Sequence, residues 1–388
     1  MDDVLRGERN PFSLEDIGPF YKVMRRVHLV MRGGPVRSFR IGLFAWLPIA
    51  IAETARLATG HRPDATLLDL SVHVRLLVAL PAMLFSLRLA NKASRSAIGS
   101  LYHGNFCEPA LFEPLLDQAK WLRQAWLPEA LALTIAVIGG QLALWNVTGP
   151  SGLFHAKLVA EGLTFSRLWY AAVALPLFQF VMFRWLWRWA VWGFLLVRLA
   201  RLPLNPIATH PDRAAGLSIF SRPLSAFAGF AFAASSVVAA AMGTQVIAGT
   251  TTVKQHLLEL VGLVFLLLAI GVSPLLAFCG HLYTTRRKAL REYGDFANEY
   301  MRNFHRKWIV DRPKDESALG SSDIQSMNDL GGAFDVINQT RLFPFGMRPV
   351  IAVWAGALLP AVPLLATMVS VEDLLKRIVG ALLGGFPI

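Results

Sequence analysis

The residues of this chain that could do chemistry are ionisable groups set inside or beside apolar runs. Arg184 and Arg188 stand in the stretch LWYAAVALPLFQFVMFRWLWRWAVWGFLLVRLARL. With Arg198 they fall within about an 80° arc of one helix, at 100° per residue. A stripe of cations on a membrane helix suits an anion path, because intramembrane charges mark ion routes. Depth offers the plain alternative. A helix entering lipid at Leu168 crosses in about 20 residues, which brings Arg184 close to the far interface. There, Trp185, Trp187, Trp189 and Trp192 would form an aromatic belt while the arginines extend to lipid phosphates. Glu53 lies deeper, about 18 Å along a helix that enters at Ile41 and rises 1.5 Å per residue. A carboxylate there must be neutralised, protonated or wetted, so Glu53 is a candidate group for proton or cation coupling. Its structural alternative is an ion pair with Arg56.

A polar turn follows the Arg/Trp-rich run. His210, Asp212 and Arg213 could act on a lipid headgroup or bind a partner at the membrane face. The His-Pro-Asp tripeptide is one that J-domains use, but the flanking helices of that domain are absent. As structure, Pro206, Pro211 and Gly216 describe a rigid turn with Asp212 capping what comes next. Asp69 and His73, four residues apart, could face one cation, or Asp69 could cap a helix with His73 as its neighbour. His155 and His281 have no matching partners. Cys107 and Cys279 are placed for neither a disulfide nor a metal site. P-loop, HExxH, CxxC, GxSxG and GxGxxG signatures are all missing, so no catalytic residue, metal site or cofactor is assigned.

These residues need a membrane to position them. The chain has 388 residues, 54% of them hydrophobic and 16% charged, with a mean hydropathy of +0.46. That balance predicts an all-α, polytopic α-helical membrane protein. Apolar runs place seven spans: Ile41 to Ala58, Val72 to Leu89, Leu127 to Trp145, a fourth from Leu168, Ser225 to Ala248, Leu257 to Leu282 and Pro349 to Val369. Pro81 and Pro274 interrupt two of them. The expected organisation is a cytoplasmic segment 1–40, six spans within 41–282, a cytoplasmic helical extension and loop over 283–348, and a seventh span with an amphipathic helix over 349–388. Ser370 and Asp373 form a capping box that would open that last helix.

The net charge of +12 comes from Lys and Arg concentrated in alternate connections. On this division 28 basic residues lie on one side and 5 on the other, which puts the N-terminus in the cytoplasm and the C-terminus outside. The basic loops serve topology, and nucleic acid is not indicated. No signal peptide precedes the first span. In the extension, Leu290, Tyr293, Ala297, Tyr300, Phe304 and Trp308 form an apolar seam at three- and four-residue steps. The stretch from there to Gly346 is rich in Gly, Ser and Asp and reads as irregular. Ser235, Ala239 and Gly243 give the fifth span a small-residue face. Seam and face both suggest self-association, or packing within one chain. No internal repeat is apparent.

The turn THPDRAAGL, residues 209–217, resembles that of a family of bacterial inner-membrane proteins with a THPD-x-AG-GL turn after an Arg/Trp-rich span. AWLP at Ala45 to Pro48, RLLVALP at Arg75 to Pro81, LREYG at Leu290 to Gly294, RKW at Arg306 to Trp308 and SDIQSMNDLG at Ser322 to Gly331 fit the same likeness. It departs at Ala215, where the pattern has glycine. The resemblance implies the architecture and a bacterial inner-membrane location, and transfers no activity.

The functional expectation is an oligomeric channel or carrier for ions or small solutes, with anions favoured. Arg184 and Arg188 would contact the anion and Glu53 would couple its movement. Partners would be the bilayer, anionic headgroups and further copies of the chain. Two other classes stay open: a scaffold or sensor acting through residues 283–348, and a headgroup enzyme using His210 and Asp212.

Overall fold

The computed structural model describes residues 36–62, 64–145, 164–311, 313, 317 and 320–366. Among these the chain is 84% helical and contains no strand. In order, the helices are α1 (Val36–Ala58), α2 (Leu70–His103), α3 (Pro109–Gln124), α4 (Trp126–Trp145), α5 (Phe165–Leu199), α6 (Arg222–Ile247), α7 (Val253–Val272), α8 (Cys279–His305), α9 (Ser322–Asn338) and α10 (Met347–Leu358). Six helical runs are long and apolar enough to cross a membrane: Ser38–Ala58, Leu70–His103, Phe165–Leu199, Leu217–Ile247, Val253–Asp311 and Met347–Leu365. This is a polytopic α-helical membrane protein. The span expected at Leu127 to Trp145 falls on α4, whose side chains from residue 140 lie outside the described set. The Ser370 and Asp373 capping box also lies outside the described residues.

The bundle is built around α6, which packs on α2, α10 and α7. Small residues make this possible, because they let helix backbones approach closely without a hydrophobic driving force between them. A Cβ on Gly356 of α10 would lie 2.5 Å from the carbonyl oxygen of Ala228, and one on Gly229 would lie 2.7 Å from Ser86 Cβ on α2. The Ser235 hydroxyl donates to the Ala357 carbonyl, and Ala239 is buried with Ala361 and Leu364. The small-residue face is therefore covered inside one chain.

One expectation about α5 is corrected. Trp185, Trp189 and Trp192 form no interfacial belt; they are buried in the main core. Trp185 stacks on Phe230 at 4.2 Å between ring centres and donates from Nε1 to Ser86 Oγ at 3.0 Å, while Trp189 Nε1 donates to the Ile270 carbonyl at 2.9 Å. Counting depth from Leu168 treats α5 as a lone rod in lipid, yet its neighbours wrap this segment. Val-Ala-Leu-Pro occurs at Val78–Pro81 and again at Val173–Pro176. Each copy follows or overlaps a π-helical turn, Val74–Ala79 in α2 and Tyr170–Ala174 in α5. Leu80 N–H accordingly reaches back to the Arg75 carbonyl and Leu175 N–H to the Tyr170 carbonyl. Proline has no N–H to offer, so the turn before it relaxes into this wider ring.

Pro274 breaks the sixth span as expected, through a 3-10 turn at Ser273–Phe278, after which the helix continues as α8 far past the apolar run. The stretch expected to be irregular instead forms α9, a 17-residue helix. The Ser321 hydroxyl caps it by accepting from Asp323 N–H at 3.1 Å. Met327, Leu330, Phe334 and Ile337 recur at three- and four-residue steps along α9 and outweigh the helix-weakening Gly331 and Gly332. The seam of α8 packs on α9: its residues are half-buried, Tyr300 donates to the Asp323 carbonyl at 2.9 Å, and Lys307 and Trp308 both reach the Asp323 carboxylate at 3.0 Å. Those two donors hold the Asp323 carboxyl below the usual carboxylate range. Seam and small-residue face are thus both satisfied without a second copy.

Candidate functional site

Arg184 and Arg188 sit one turn apart on α5, beside the first turns of α4, and both are buried. Glu129 of α4 is the carboxylate that draws them together. Arg184 Nε lies 3.3 Å from Glu129 Oε1 and Arg188 Nη2 lies 3.9 Å from the same oxygen. The arginines therefore face the inside of the bundle, not the headgroups. Arg198 parts from this stripe: it bonds Gln118 of α3 at 3.3 Å and lies over the Phe194 ring. Sequence reasoning missed Glu129, although it is the lone acidic residue of its apolar run and a buried ion needs a partner of opposite sign.

Glu53 is fully buried near the end of α1, and its partners are not those expected. It accepts from the backbone N–H of Asp64 at 2.9 Å and from the Ser166 hydroxyl at 2.5 Å. Arg56 turns away to the Arg62 carbonyl at 3.4 Å. Asp64, also fully buried, takes Arg167 as its ion-pair partner at 2.8 Å and accepts from the Thr164 hydroxyl. Two carboxylates and one guanidinium thus tie the end of α1 to the start of α5. A sequence reading has no direct signal for this, because Asp64 sits in the connection after α1 and Ser166 and Arg167 in the first turn of α5, more than a hundred residues from Glu53.

The turn after α5 is a scaffold of backbone hydrogen bonds centred on Asp212. Its Oδ1 accepts from the N–H of Ala214 at 2.9 Å and of Gly216 at 3.0 Å, and its Oδ2 accepts from Ser218 N–H at 3.2 Å. His210 Nδ1 lies 2.8 Å from Asp212 Oδ1. Burial pushes the Asp212 carboxyl up, but the donors from Ser218, Gly216, Ala214 and His210 outweigh it and hold the group below the usual carboxylate range. Arg213, Ala215 and Gly216 all have positive φ, at 54°, 53° and 85°. Ala215 therefore adopts the backbone that the resembling pattern assigns to glycine. A Cβ on Gly216 would meet the Phe106 ring at 2.6 Å, so that position is closed to side chains. Arg213 itself is exposed at this surface.

Asp69 caps the helix that follows, accepting from Ser71 N–H at 2.8 Å. His73 Nδ1 accepts from Trp46 Nε1 at 2.8 Å. Cys107 and Cys279 are free, and burial pushes the Cys107 thiol up, away from reactive thiolate. Among the described residues no three His, Cys, Asp or Glu side chains gather where they could hold a metal ion. What the structure brings together, then, is one buried ionic cluster at the first turn of α5, a second just past its middle, and a rigid turn beyond it. No protein family, no curated protein and no solved structure matches this chain, so its function is argued from this geometry.

Proposed function

We propose that the protein moves small anions across a bacterial inner membrane as a channel or carrier, with α4 as a seventh crossing that puts its N-terminus in the cytoplasm and its C-terminus outside. One observation carries the reading: Arg184 and Arg188 are buried against Glu129 within the spans. Cations held among membrane helices are expensive, and proteins keep them where an ion or solute passes. The buried cluster of Glu53, Asp64 and Arg167 at the start of α5 supports a coupling role, because ionisable groups kept among membrane helices mark ion and proton routes. Basic residues at the turn would meet anionic headgroups. Seam and small-residue face being covered within the chain, the reading does not need further copies.

The test is flux of chloride and acetate into liposomes holding the purified protein. Wild-type protein is expected to pass at least one of them, with Arg184→Gln and Arg188→Gln each reducing the rate at least tenfold. Absence of flux under every gradient and potential overturns the proposal.

A scaffold or sensor role is the second reading. It is favoured by α8 and α9, which extend the sixth span into a packed helical pair with Phe296, Ile309 and Val310 exposed. Deleting residues 312–345 would then abolish function while leaving flux untouched.

A further inference from the structure

Arg75 lies in the π-helical turn of α2, five residues inside the span that begins at Leu70. Its guanidinium bonds the Tyr170 hydroxyl and lies 5.9 Å from the centre of the Tyr170 ring and 5.6 Å from that of Phe178. Both rings belong to α5, and Tyr170 occupies in the second Val-Ala-Leu-Pro copy the place of Arg75 in the first. The two π-helical turns thus meet through equivalent residues. Such turns concentrate at functional positions.

No carboxylate among the described residues lies within ion-pairing distance of Arg75. Asp69, the nearest acidic group in sequence, acts on Arg75 through its charge without forming an ion pair; its oxygens are engaged by Ser71 N–H at 2.8 Å and the Thr244 hydroxyl at 3.2 Å. Around the site the wall is apolar: Ile49, Val72, Leu76, Ala174 and Leu175 are buried together with Tyr170. The cation is compensated in part by the aromatic faces and in part by the charge of Asp69, and its N–H donors beyond the one on Tyr170 are left for the oxygens of an anion. Tyr170 hydroxyl accepts from Arg75 and keeps its own proton to donate.

We propose that Arg75 and the Tyr170 hydroxyl form a binding site for a monovalent oxyanion. One cation that already feels the charge of Asp69 can balance at most one negative charge, so a divalent anion would arrive with charge unmet. A guanidinium edge matches a pair of oxygens, as a carboxylate or a phosphodiester presents them, better than a spherical halide. The site deepens the transport reading by placing a first anion contact at the end of the bundle opposite the Asp212 turn.

The experiment is equilibrium binding followed by tryptophan fluorescence, with Trp46 and Trp169 beside the site. Purified full-length protein in a phosphate-free sugar detergent is titrated with sodium acetate, sodium benzoate and sodium sulfate. Saturable changes are expected with acetate and benzoate and a weaker response to sulfate. Arg75→Gln should weaken carboxylate binding at least tenfold. Should that variant misassemble on size exclusion, Tyr170→Phe, which removes one oxygen, carries the test with an expected loss of threefold or more. No saturable response in the wild type, sulfate binding as tightly as acetate, or Tyr170→Phe binding like the wild type overturns the site. Repeating the titration in nanodiscs separates the two sources. An acetate affinity equal in phosphatidylcholine and phosphatidylglycerol discs assigns a free solute, and a loss of tenfold in phosphatidylglycerol assigns a lipid headgroup. Because no gradient is applied, flux without binding at Arg75 removes this site alone, and binding without flux removes the transport reading alone.

Discussion

Arg341 donates from Nη2 to the carbonyl oxygen of Asp212 at 2.7 Å, and its backbone N–H donates to the carbonyl of Arg213 at 2.8 Å. The segment after α9 is thereby tied to the turn between α5 and α6, residues more than a hundred positions away. Arg286 of α8 adds a bond to the Asn338 carbonyl at 2.8 Å. The helical extension is anchored to the bundle at this one end.

Arg341→Ala removes the side-chain bond and leaves the backbone one. A hydrogen bond from a charged donor contributes about 1.5–3 kcal/mol, less at a half-exposed site, so a loss of about 1 kcal/mol is expected. Thermal unfolding in detergent reads the loss, and limited proteolysis within residues 339–346 should speed up. Unchanged cleavage would show that the anchor does not hold the segment.

Asp212 makes stability depend on pH in one direction. Its folded carboxyl titrates below its unfolded value, which is about 3.9. The stability it contributes is therefore fully present above that unfolded value and is lost as pH falls through the lower folded one. Asp212→Asn should unfold at lower temperature than the wild type at neutral pH, and the gap should close on acidification below about pH 4. A gap that stays constant with pH would mean the carboxylate charge is not what the turn uses.

Ala215 and Gly216 should respond oppositely to substitution. Ala215 holds a left-handed backbone at a cost of about 1–2 kcal/mol, so Ala215→Gly relieves strain while losing a buried methyl and should be within about 1 kcal/mol of neutral. Gly216→Ala adds strain and a contact with the Phe106 ring, and should cost about 2 kcal/mol or more. Pairing Gly216→Ala with Phe106→Leu should recover less than the whole loss, since the backbone strain remains. Melting temperatures of the three variants check this.

Glu53 should be sensitive where Arg56 is not. Glu53→Leu strands the Asp64 N–H and the Ser166 hydroxyl in a buried site, at about 1–3 kcal/mol for each donor left unsatisfied. Arg56→Ala is expected to cost less than about 1 kcal/mol, because the half-buried side chain makes one long bond, to the Arg62 carbonyl at 3.4 Å. Equal losses from both would revive the Glu53 to Arg56 pair.

The amino-acid sequence determined the solvent, and with it the class of fold. Apolar runs of spanning length have one stable solution in lipid, a helix that satisfies its own backbone, so the spans at Ser38–Ala58 or Leu217–Ile247 follow from local composition. It also marked which residues are costly: Glu53, Arg184 and Arg188 stand out because an ion in an apolar run needs a reason. Partners were decided only by the tertiary structure. Arg184 meets Glu129 from another helix, Glu53 meets Ser166, and Arg75 meets Tyr170, each across a separation along the chain that no spacing rule encodes. Periodicity likewise described one face of α8, while the helix that covers it, α9, forms despite Gly331 and Gly332 because burial against that face outweighs local propensity. Local sequence fixes what a segment can bury; which neighbour it is buried against depends on how all the helices pack at once.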